Sequence, residues 1–460
     1  MQYFLGIVFF TQLWSPPENM SIAGADDIKP QACRMRTLYT CLVWQTNING
    51  NWDIFSRFET AYDWTDTIRI TTDIASDINP SVATEDEDNH YYWCAWQNNS
   101  AGNWDIYIAY NETYNTWQVP FYQLTNDSVD DEYPSVCIIN DTVWVVWQKR
   151  ANGAVNIFSS YFDGALWSSP IAITNDSLSN NIHPKINIRG SHPFTVWEKD
   201  ADIYYSEYSG GIWQVPQPIA PDPADDNSPE IATGPYHLWV WVVWQSNRDG
   251  NYEIYSTGRD SFDVYHRLTY SDSADVSPSP LNLYPSDKPS IAFSTNRKGN
   301  SDIYSIIRGP YHDTTCFIDS NPAEDILPVM TTTNQFDVWA LWQTNRNGDW
   351  DIYGSWFRYD AIEENNYTGQ LSGTFRTYPN PFFDHVTFEF RILNYDAQAM
   401  LKIFDVTGRL IKSFNHLTNL QCSQLVWDGR DASGRQLPPG VYFYQLKAGN
   451  LMISEKVIKL

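Results

Sequence analysis

The 460-residue sequence predicts an all-β fold in two parts, a seven-bladed β-propeller closed by an N-terminal strand and a smaller C-terminal β-sandwich. Three observations lead to this prediction. A unit of about 50 residues recurs seven times, the segments within it alternate between apolar and polar residues, and no stretch shows the period of a helix. Four short strands in a unit of this length are typical of a propeller blade.

The most regular feature of the unit is an aromatic residue at the end of its second strand. It recurs every 47 to 52 residues, at Trp44, Trp96, Trp147, Trp197, Trp244, Phe293 and Trp342. An acid or amide followed by Ile begins the third strand, at Asp53, Asp105, Asn156, Asp202, Glu253, Asp302 and Asp351. Because a large ring fills the wedge between two twisted sheets, we expect each aromatic residue to pack between neighbouring blades.

Glycine marks the hairpin between the second and third strands in six of the units. These glycines are Gly50, Gly102, Gly153, Gly250, Gly299 and Gly348. A tight turn at this point needs a positive φ, which glycine adopts freely. The fourth unit is shorter here, with only residues 198–201 between Trp197 and Asp202.

The N-terminus supplies the strand that the seventh unit lacks. No fourth strand follows residue 357, but residues 13–17 (LWSPP) resemble residues 166–170 (LWSSP) of the third unit. Trp14 also precedes Pro30 by 16 residues, and the corresponding tryptophans of other units precede their prolines by 16 or 17 residues. We therefore predict that residues 13–22 complete the seventh blade and remove its open edge.

This prediction conflicts with an alternative interpretation of the N-terminus. Residues 1–12 form a short apolar segment without a basic start, which we interpret as a partial signal segment. The small residues at Ala23, Gly24 and Ala25 are typical of a cleavage site, and cleavage there would discard the closing strand.

The repeated unit resembles the TolB-like, PD40-type propeller repeat. The resemblance rests on a turn followed by an acid, Ile and Tyr, in residues 247–255 (NRDGNYEIY) and residues 296–304 (NRKGNSDIY). It covers residues 13–357 and implies the propeller fold. It implies no particular activity, because one fold serves many functions.

A second domain is predicted at residues 374–460, after a polar linker at residues 358–373. About six strands separated by turn signals fit an immunoglobulin-like sandwich. The domain resembles the type A sorting domain of the type IX secretion system and the FlgD-like immunoglobulin domain. The matching segments are 378–382 (YPNPF), 405–409 (DVTGR), 427–435 (WDGRDASGR), 440–444 (GVYFY) and 456–460 (KVIKL). The resemblance implies the secretion machinery as a partner and a secreted or cell-surface location; a purely structural sandwich is the alternative.

Charge and hydrophobicity narrow the classes of partner. The chain carries 29 Lys and Arg against 55 Asp and Glu, a net charge of −26. This excess of acidic residues argues against binding to the phosphates of nucleic acids. No apolar run reaches the roughly 18 residues of a membrane-spanning helix, so we expect no transmembrane segment.

The first candidate site is an acid that stands three residues before a proline in six units. These acids are Asp27, Asp77, Asp131, Asp226, Asp275 and Asp325. If they surround one mouth of the central channel, their oxygens would suit Ca²⁺ or a cationic ligand. The alternative is an Asx turn in which each Asp orders its own blade by accepting backbone N–H groups. No other cofactor is expected.

The second candidate site is the fourth unit, which departs from the repeat. It has Asn181 in place of Asp, the basic residues His183, Lys185 and Arg189, and the shortened hairpin. A missing loop beside the channel would leave a concave notch, and binding pockets are concave. Drift of a single repeat explains the same differences.

The sequence contains no recognised catalytic motif, so we expect a binding or adhesion module rather than an enzyme. Its ligand would be an extracellular protein or glycan held by the propeller. Two alternatives stay open: a propeller glycoside hydrolase, lyase or other extracellular hydrolase, and a structural scaffold component.

Overall fold

The computed structural model divides into two compact units, one of residues 14–361 and one that contains residues 362–460. The residues predicted as a signal segment (1–12) and all but the first of the predicted linker (358–373) lie outside the described residues. The described residues are 14–22, 24–34, 40–60, 64–84, 91–111, 116–118, 121–151, 153–233, 240–258, 261–283, 288–308, 313–319, 321–332, 337–358, 375–378, 381–383, 385–390, 399–417, 423–448 and 451–460. Among them, no helix is long and apolar enough to cross a membrane.

Seven antiparallel sheets form the first unit, six of four strands and one, in blade 4, of five, and the predicted seven-bladed propeller is confirmed. We number the blades 1 to 7 from residue 27. The innermost strands are Asp27–Arg34, Asp77–Thr84, Asp131–Ile139, Asn181–Arg189, Asp226–Thr233, Asp275–Leu281 and Asp325–Thr332. The second strands are Thr40–Thr46, Tyr92–Asn98, Thr142–Ala151, His192–Lys199, Val240–Ser246, Ser290–Thr295 and Asp337–Thr344.

The outer half of each blade consists of a third strand and a short fourth strand. The third strands are Asp53–Phe58, Asp105–Asn111, Ala154–Phe162, Asp202–Ser209, Glu253–Gly258, Asp302–Arg308 and Asp351–Arg358. The fourth strands are Ile68–Arg69, Tyr122–Gln123, Ile171–Ala172, Gln217–Ile219 with the adjoining Ile212–Trp213, Ser261–Arg267, Asp313–Phe317 and Glu18–Asn19.

The repeated proline lies inside the innermost strand of each blade. Each innermost strand starts at the repeated Asp or Asn, three residues before the proline. The strand tolerates the proline because its pairing is interrupted there: in blade 1 the register shifts between Ile28 and Gln31. The residue inside this bulge, Lys29, has a φ of 55°.

The N-terminal segment closes the ring, as predicted. Glu18 and Asn19 pair with the third strand of blade 7, opposite Gly354 and Tyr353. Trp14 is buried beside them and takes the place of the tryptophan that precedes the fourth strand in other blades. The last blade is therefore completed by residues from the opposite end of the propeller sequence.

The repeated tryptophans lie in the cores between blades, which confirms their predicted role. Trp44 packs in one cluster with Leu341 of blade 7, and Trp96 packs with Val43 of blade 1. The hairpin glycines also behave as expected, with φ between 90° and 106°. In blade 4 only Asp200 and Ala201 join the second and third strands, both at positive φ.

The second unit consists of two sheets that share one core. One sheet contains Phe375–Tyr378, Val386–Phe390 and Ser423–Trp427, and the other contains Leu410–Leu417, Ala399–Asp405, Gly440–Ala448 and Leu451–Lys459. Side chains of both sheets, such as Phe388 and Trp427 from the first and Leu401 and Tyr444 from the second, are fully buried together. This arrangement is the predicted β-sandwich.

Candidate binding site at the channel mouth

The innermost strands of the seven blades surround a central channel with a cavity of about 1470 Å³. Near the end where these strands begin, each blade contributes the residue two positions after its Asp or Asn. We call these seven residues the mouth ring: Lys29, Asn79, Tyr133, His183, Ser228, Ser277 and Leu327.

All seven residues of the mouth ring have a left-handed backbone, with φ between 52° and 55°. This conformation costs an L-residue roughly 1–2 kcal/mol, whereas glycine adopts it freely. None of the seven is glycine. Each of these seven positions therefore carries a side chain although its backbone conformation favours glycine.

Hydrogen bonds between neighbouring blades fix this backbone. The residue after the repeated tryptophan is Gln in five blades, and its side-chain Oε1 accepts the mouth-ring N–H of the next blade over 2.7–3.0 Å. The pairs are Gln343 with Lys29, Gln45 with Asn79, Gln97 with Tyr133, Gln148 with His183 and Gln245 with Ser277. These bonds use only the backbone of the mouth ring, so they place no demand on its side chains.

Blades 1 to 4 bring their mouth-ring side chains into one continuous chain of contacts. Asn79 Nδ2 donates to Gln97 Oε1 at 2.8 Å, which turns Asn79 Oδ1 toward the Lys29 ammonium that donates to it. Lys29 Nζ also lies 5.5 Å from the centre of the Tyr133 ring. Tyr133 in turn meets the His183 ring edge to face, with ring centres 4.7 Å apart.

Glu198 ends this chain of contacts on blade 4, where it replaces the repeated Gln. Its Oε1 accepts the backbone N–H of Ser228 at 2.9 Å, as Gln does in other blades. The same oxygen lies 3.2 Å from His183 Nδ1, so His183 can donate from Nδ1 and keep Nε2 for a ligand. Ser228 and Ser277 follow with short side chains, so blades 5 and 6 leave space opposite this polar side.

The structure brings together two of the four residues predicted in blade 4. His183 and Lys185 both line the channel, and Lys185 forms an ion pair of 2.6 Å with Glu230 of blade 5. Asn181 is fully buried, and Arg189 lies at the far end of the strand beside Glu207, 3.3 Å away. Neither Asn181 nor Arg189 is among the residues that line the channel.

The six candidate acids are buried behind the mouth ring and do not line the channel. In four blades the indole Nε1 donates to the Asp Oδ1, and in blade 4 it donates to Asn181 Oδ1, over 2.6–3.1 Å. The pairs are Trp44 with Asp27, Trp96 with Asp77, Trp147 with Asp131, Trp197 with Asn181 and Trp342 with Asp325. The donor that recurs from blade to blade is therefore an indole, whereas an Asx turn would use a backbone N–H two residues on.

Blades 5 and 6 show what happens when this pairing is missing. Among the described residues, Trp244 Nε1 and Asp226 Oδ1 have no hydrogen-bond partner, and Arg248 forms an ion pair with Asp226 at 2.6 Å instead. In blade 6 the tryptophan is replaced by Phe293, which has no donor, and an arginine again pairs with the Asp. A basic partner is not confined to these two blades, because Lys149 pairs with Asp131 and Arg346 with Asp325 beside the indole bond.

Burial raises the pKa of these acids because it disfavours the charged carboxylate. The pKa of Asp27, Asp131 and Asp226 rises to about 6 and that of Asp77 to about 7. The pKa of Asp275 and Asp325 is raised for the same reason. No group of three metal-ligating side chains occurs within the described ranges.

Sequence reasoning missed Lys29, Asn79, Tyr133 and Glu198. The mouth-ring side chains vary from blade to blade, with only serine occurring twice, so they form no motif, and no glycine indicated a left-handed backbone. One signal was present: a Gln follows the repeated tryptophan in five units, and its replacement by Glu198 singles out blade 4.

Residues 376–460 match the family described as a secretion system C-terminal sorting domain. This match confirms the resemblance to the sorting domain of the type IX secretion system and indicates a secreted, cell-surface protein of that system. No curated protein matches the chain.

Several solved structures share the arrangement of repeated sheets. A protein of unknown function from Dyadobacter fermentans DSM 18053 is 12% identical with a TM-score of 0.44, covering 62% of this chain and 95% of that one. The NanB sialidase from Streptococcus pneumoniae is 10% identical with a TM-score of 0.41, covering 72% and 68%. The α-L-arabinofuranosidase Arb93A from Fusarium graminearum is 10% identical with a TM-score of 0.43, covering 72% and 93%. This likeness concerns the fold alone and supports no activity.

Proposed function

We propose that the protein is an extracellular binding protein whose propeller holds a ligand at the mouth ring, while the C-terminal domain serves as the secretion or attachment signal. In this proposal the blades are TolB-like repeats and the C-terminal sandwich is FlgD-like. The ligand is a polar molecule, and we favour a saccharide.

The observation that supports this proposal is the combination of a strained backbone and varied side chains in the mouth ring. The backbone conformation and its hydrogen bonds to Gln or Glu are the same in at least six blades, and both would tolerate glycine. A purely structural position would therefore favour the same small residue throughout. Strain kept at a concave surface favours a functional role for the side chains that it displays.

The distribution of side chains around the ring favours a single, asymmetric ligand. Blades 1 to 4 present an amine, an amide, a phenol ring and an imidazole in mutual contact, and blades 5 and 6 present only serines. Amide, imidazole and hydroxyl groups pair with sugar hydroxyls, and aromatic rings pack against apolar sugar faces. A saccharide lying against blades 1 to 4 would use both kinds of group.

Substitutions taken from the repeat itself test this proposal with little risk to the fold. Tyr133→Asn introduces the residue that blade 2 has at this position, and His183→Ser introduces the residue of blades 5 and 6. The full chain and the double variant are passed over immobilised neutral and acidic polysaccharides. We expect the double variant to lose retention on the polymer that holds the unchanged protein.

The matched control is Tyr270→Asn, because Tyr270 is 74% exposed on blade 5 and does not line the channel. The Tyr270→Asn variant should be retained on the immobilised polymer to the same extent as the unchanged protein. Equal retention by the double variant would place binding elsewhere and contradict the proposal. Release of soluble fragments from the polymer would show turnover and favour the hydrolase or lyase alternative.

A further inference from the structure

The charges that line the channel contrast with the charge of the whole chain. The protein carries a net charge of −26, yet the described residues of the lining include the cations Lys29, Arg34 and Lys185 and the imidazole of His183, beside the acids Glu198 and Glu230. An acidic protein repels anions at long range, so any attraction of an anion must arise from such a local group.

Two of these basic groups lie beside a carboxylate. Lys185 is paired with Glu230 at 2.6 Å, and His183 lies 3.2 Å from Glu198. Lys29 differs, because its ammonium donates to the neutral amide oxygen of Asn79 and faces the ring of Tyr133. Within the part of the chain that the structure describes, no carboxylate lies within ion-pair distance of Lys29 Nζ.

The environment of Lys29 disfavours its charge. Partial burial lowers its pKa, and the charge of Lys185 across the channel lowers it further. An unneutralised ammonium in such a place costs free energy that an anion from outside can recover. Its position is also fixed, since Gln97 orients Asn79 and Gln343 holds the Lys29 backbone N–H.

We propose that Lys29 binds an anionic group, a carboxylate or a sulfate, on the ligand held at the mouth ring. With the saccharide favoured above, the ligand class becomes an acidic saccharide, so this inference rests on the proposed function. The ammonium would form a charge-assisted hydrogen bond with the anion while Tyr133 and His183 contact the sugar ring. The negative charge of Glu198, at the other end of the chain of contacts, repels the anion and so weakens its binding.

Calorimetric titration of the full-length protein tests the proposal with defined probes at constant ionic strength. The probes are glucuronate and its neutral counterpart glucose, and sodium sulfate in a separate arm distinguishes the two anions. We expect glucuronate or sulfate to bind and glucose to bind more weakly. Lys29→Met should weaken anion binding by about tenfold or more, as loss of a charged hydrogen bond does.

A second variant changes the charge in the opposite direction. Glu198→Gln restores the residue found at this position in five other blades and removes a negative charge near the site, so it should strengthen anion binding by about threefold. Lys298→Met is the matched control, because Lys298 lies in a hairpin of blade 6 and does not line the channel. Lys298→Met removes one positive charge, as Lys29→Met does, and should leave anion binding unchanged.

Lys29→Asn guards against a folding defect, because blade 2 has Asn at the same position and the variant should behave as Lys29→Met does. The inference is overturned if neither anion binds the unchanged protein at millimolar concentration, or if Lys29→Met binds it unaltered. If polymer retention depends on Tyr133 and His183 but not on Lys29, the binding function stands and the anion site fails. If retention depends on none of the three, both proposals fail.

Discussion

The indole Nε1 of Trp14 donates a hydrogen bond of 3.1 Å to the hydroxyl of Ser305, which is 291 residues away in the chain. Ser305 belongs to the third strand of blade 6, so the bond attaches the N-terminal segment to the neighbouring blade. Trp117 forms the same bond with Ser56 over 3.0 Å, and Trp213 with Ser159 over 2.9 Å. The N-terminal segment therefore repeats an interblade contact that internal blades also make.

Trp14 should be essential to the stability of the closed ring. Trp14→Ala removes a buried ring that packs edge to face on Phe357, with ring centres 4.6 Å apart. We expect the free energy of unfolding to fall by about 3–5 kcal/mol. Trp14→Phe keeps most of the packing and loses the hydrogen bond, so it should cost about 1 kcal/mol. Urea unfolding followed by circular dichroism measures both values.

The control for this prediction is Leu166→Ala, in the segment of blade 3 that resembles the N-terminal one. Leu166 is 76% exposed, so its truncation should leave unfolding nearly unchanged. If Trp14→Ala unfolds at the same urea concentration as the unchanged protein, the N-terminal segment does not contribute to closure.

Asp77→Asn should stabilise the protein at alkaline pH. Folding raises the pKa of Asp77 from 3.8 to about 7, so the folded state binds the proton more tightly than the unfolded chain does. The stability that this proton provides is complete below about pH 4 and is lost as the pH rises through 7. At pH 8 we expect the variant to gain on the order of 3 kcal/mol over the unchanged protein. Urea unfolding at pH 8 and pH 5 should show that this gain shrinks at the lower pH.

The reverse substitution provides the matched control. Blade 4 already has Asn181, whose Oδ1 accepts the Trp197 Nε1–H at 2.8 Å as the acids do elsewhere. Asn181→Asp should therefore destabilise the protein at pH 8 and less so at pH 5. A gain for Asp77→Asn that is equal at both pH values would show that the ionisation of Asp77 is not its cause.

Gln97 should be the most important member of the interblade hydrogen bonds. It is buried, and its Oε1 accepts both the Tyr133 N–H and the Asn79 Nδ2–H, each at 2.8 Å. Gln97→Leu leaves two donors without an acceptor, which should lower the free energy of unfolding by about 3 kcal/mol. Thermal unfolding measures the loss. Glu198→Gln keeps an acceptor oxygen for the Ser228 N–H, so it should change stability little. If Glu198→Gln lowers the free energy of unfolding as much as Gln97→Leu does, the loss of acceptors is not the cause.

Export should depend on a folded C-terminal sandwich. Trp427 is fully buried, and its Nε1 donates to the Arg430 carbonyl at 2.8 Å, so Trp427→Ala should unfold this unit at a cost of about 3–5 kcal/mol. In a host with the type IX system, immunoblots of medium and cell envelope should show the variant retained inside the cell, like a chain truncated before residue 376. Val406→Ala is the control, because Val406 is 68% exposed. Normal export of Trp427→Ala would separate sorting from the fold of the domain.

The architecture could be predicted from the sequence because its signals are local and repeated seven times. Strand order, hairpin glycines and the closing role of Trp14 all followed from spacing. The pairing of Trp44 with Asp27 did not, because the two residues are 17 positions apart and either has a reason to recur alone. The mouth ring could not be predicted either, since left-handed residues such as Tyr133 and Leu327 are neither glycine nor asparagine.

The backbone bonds that hold the mouth ring have an evolutionary consequence. Because each bond involves only an N–H group of the ring, a mutation there changes the ligand-facing chemistry without disturbing the adjacent sheet. The side chains of the ring can therefore diverge without a change in these backbone bonds, although those of blades 1 to 4 touch one another and so vary as a group. Paralogues with the same blades could acquire new specificities, and a library randomised at these seven codons would be a direct route to engineered binders.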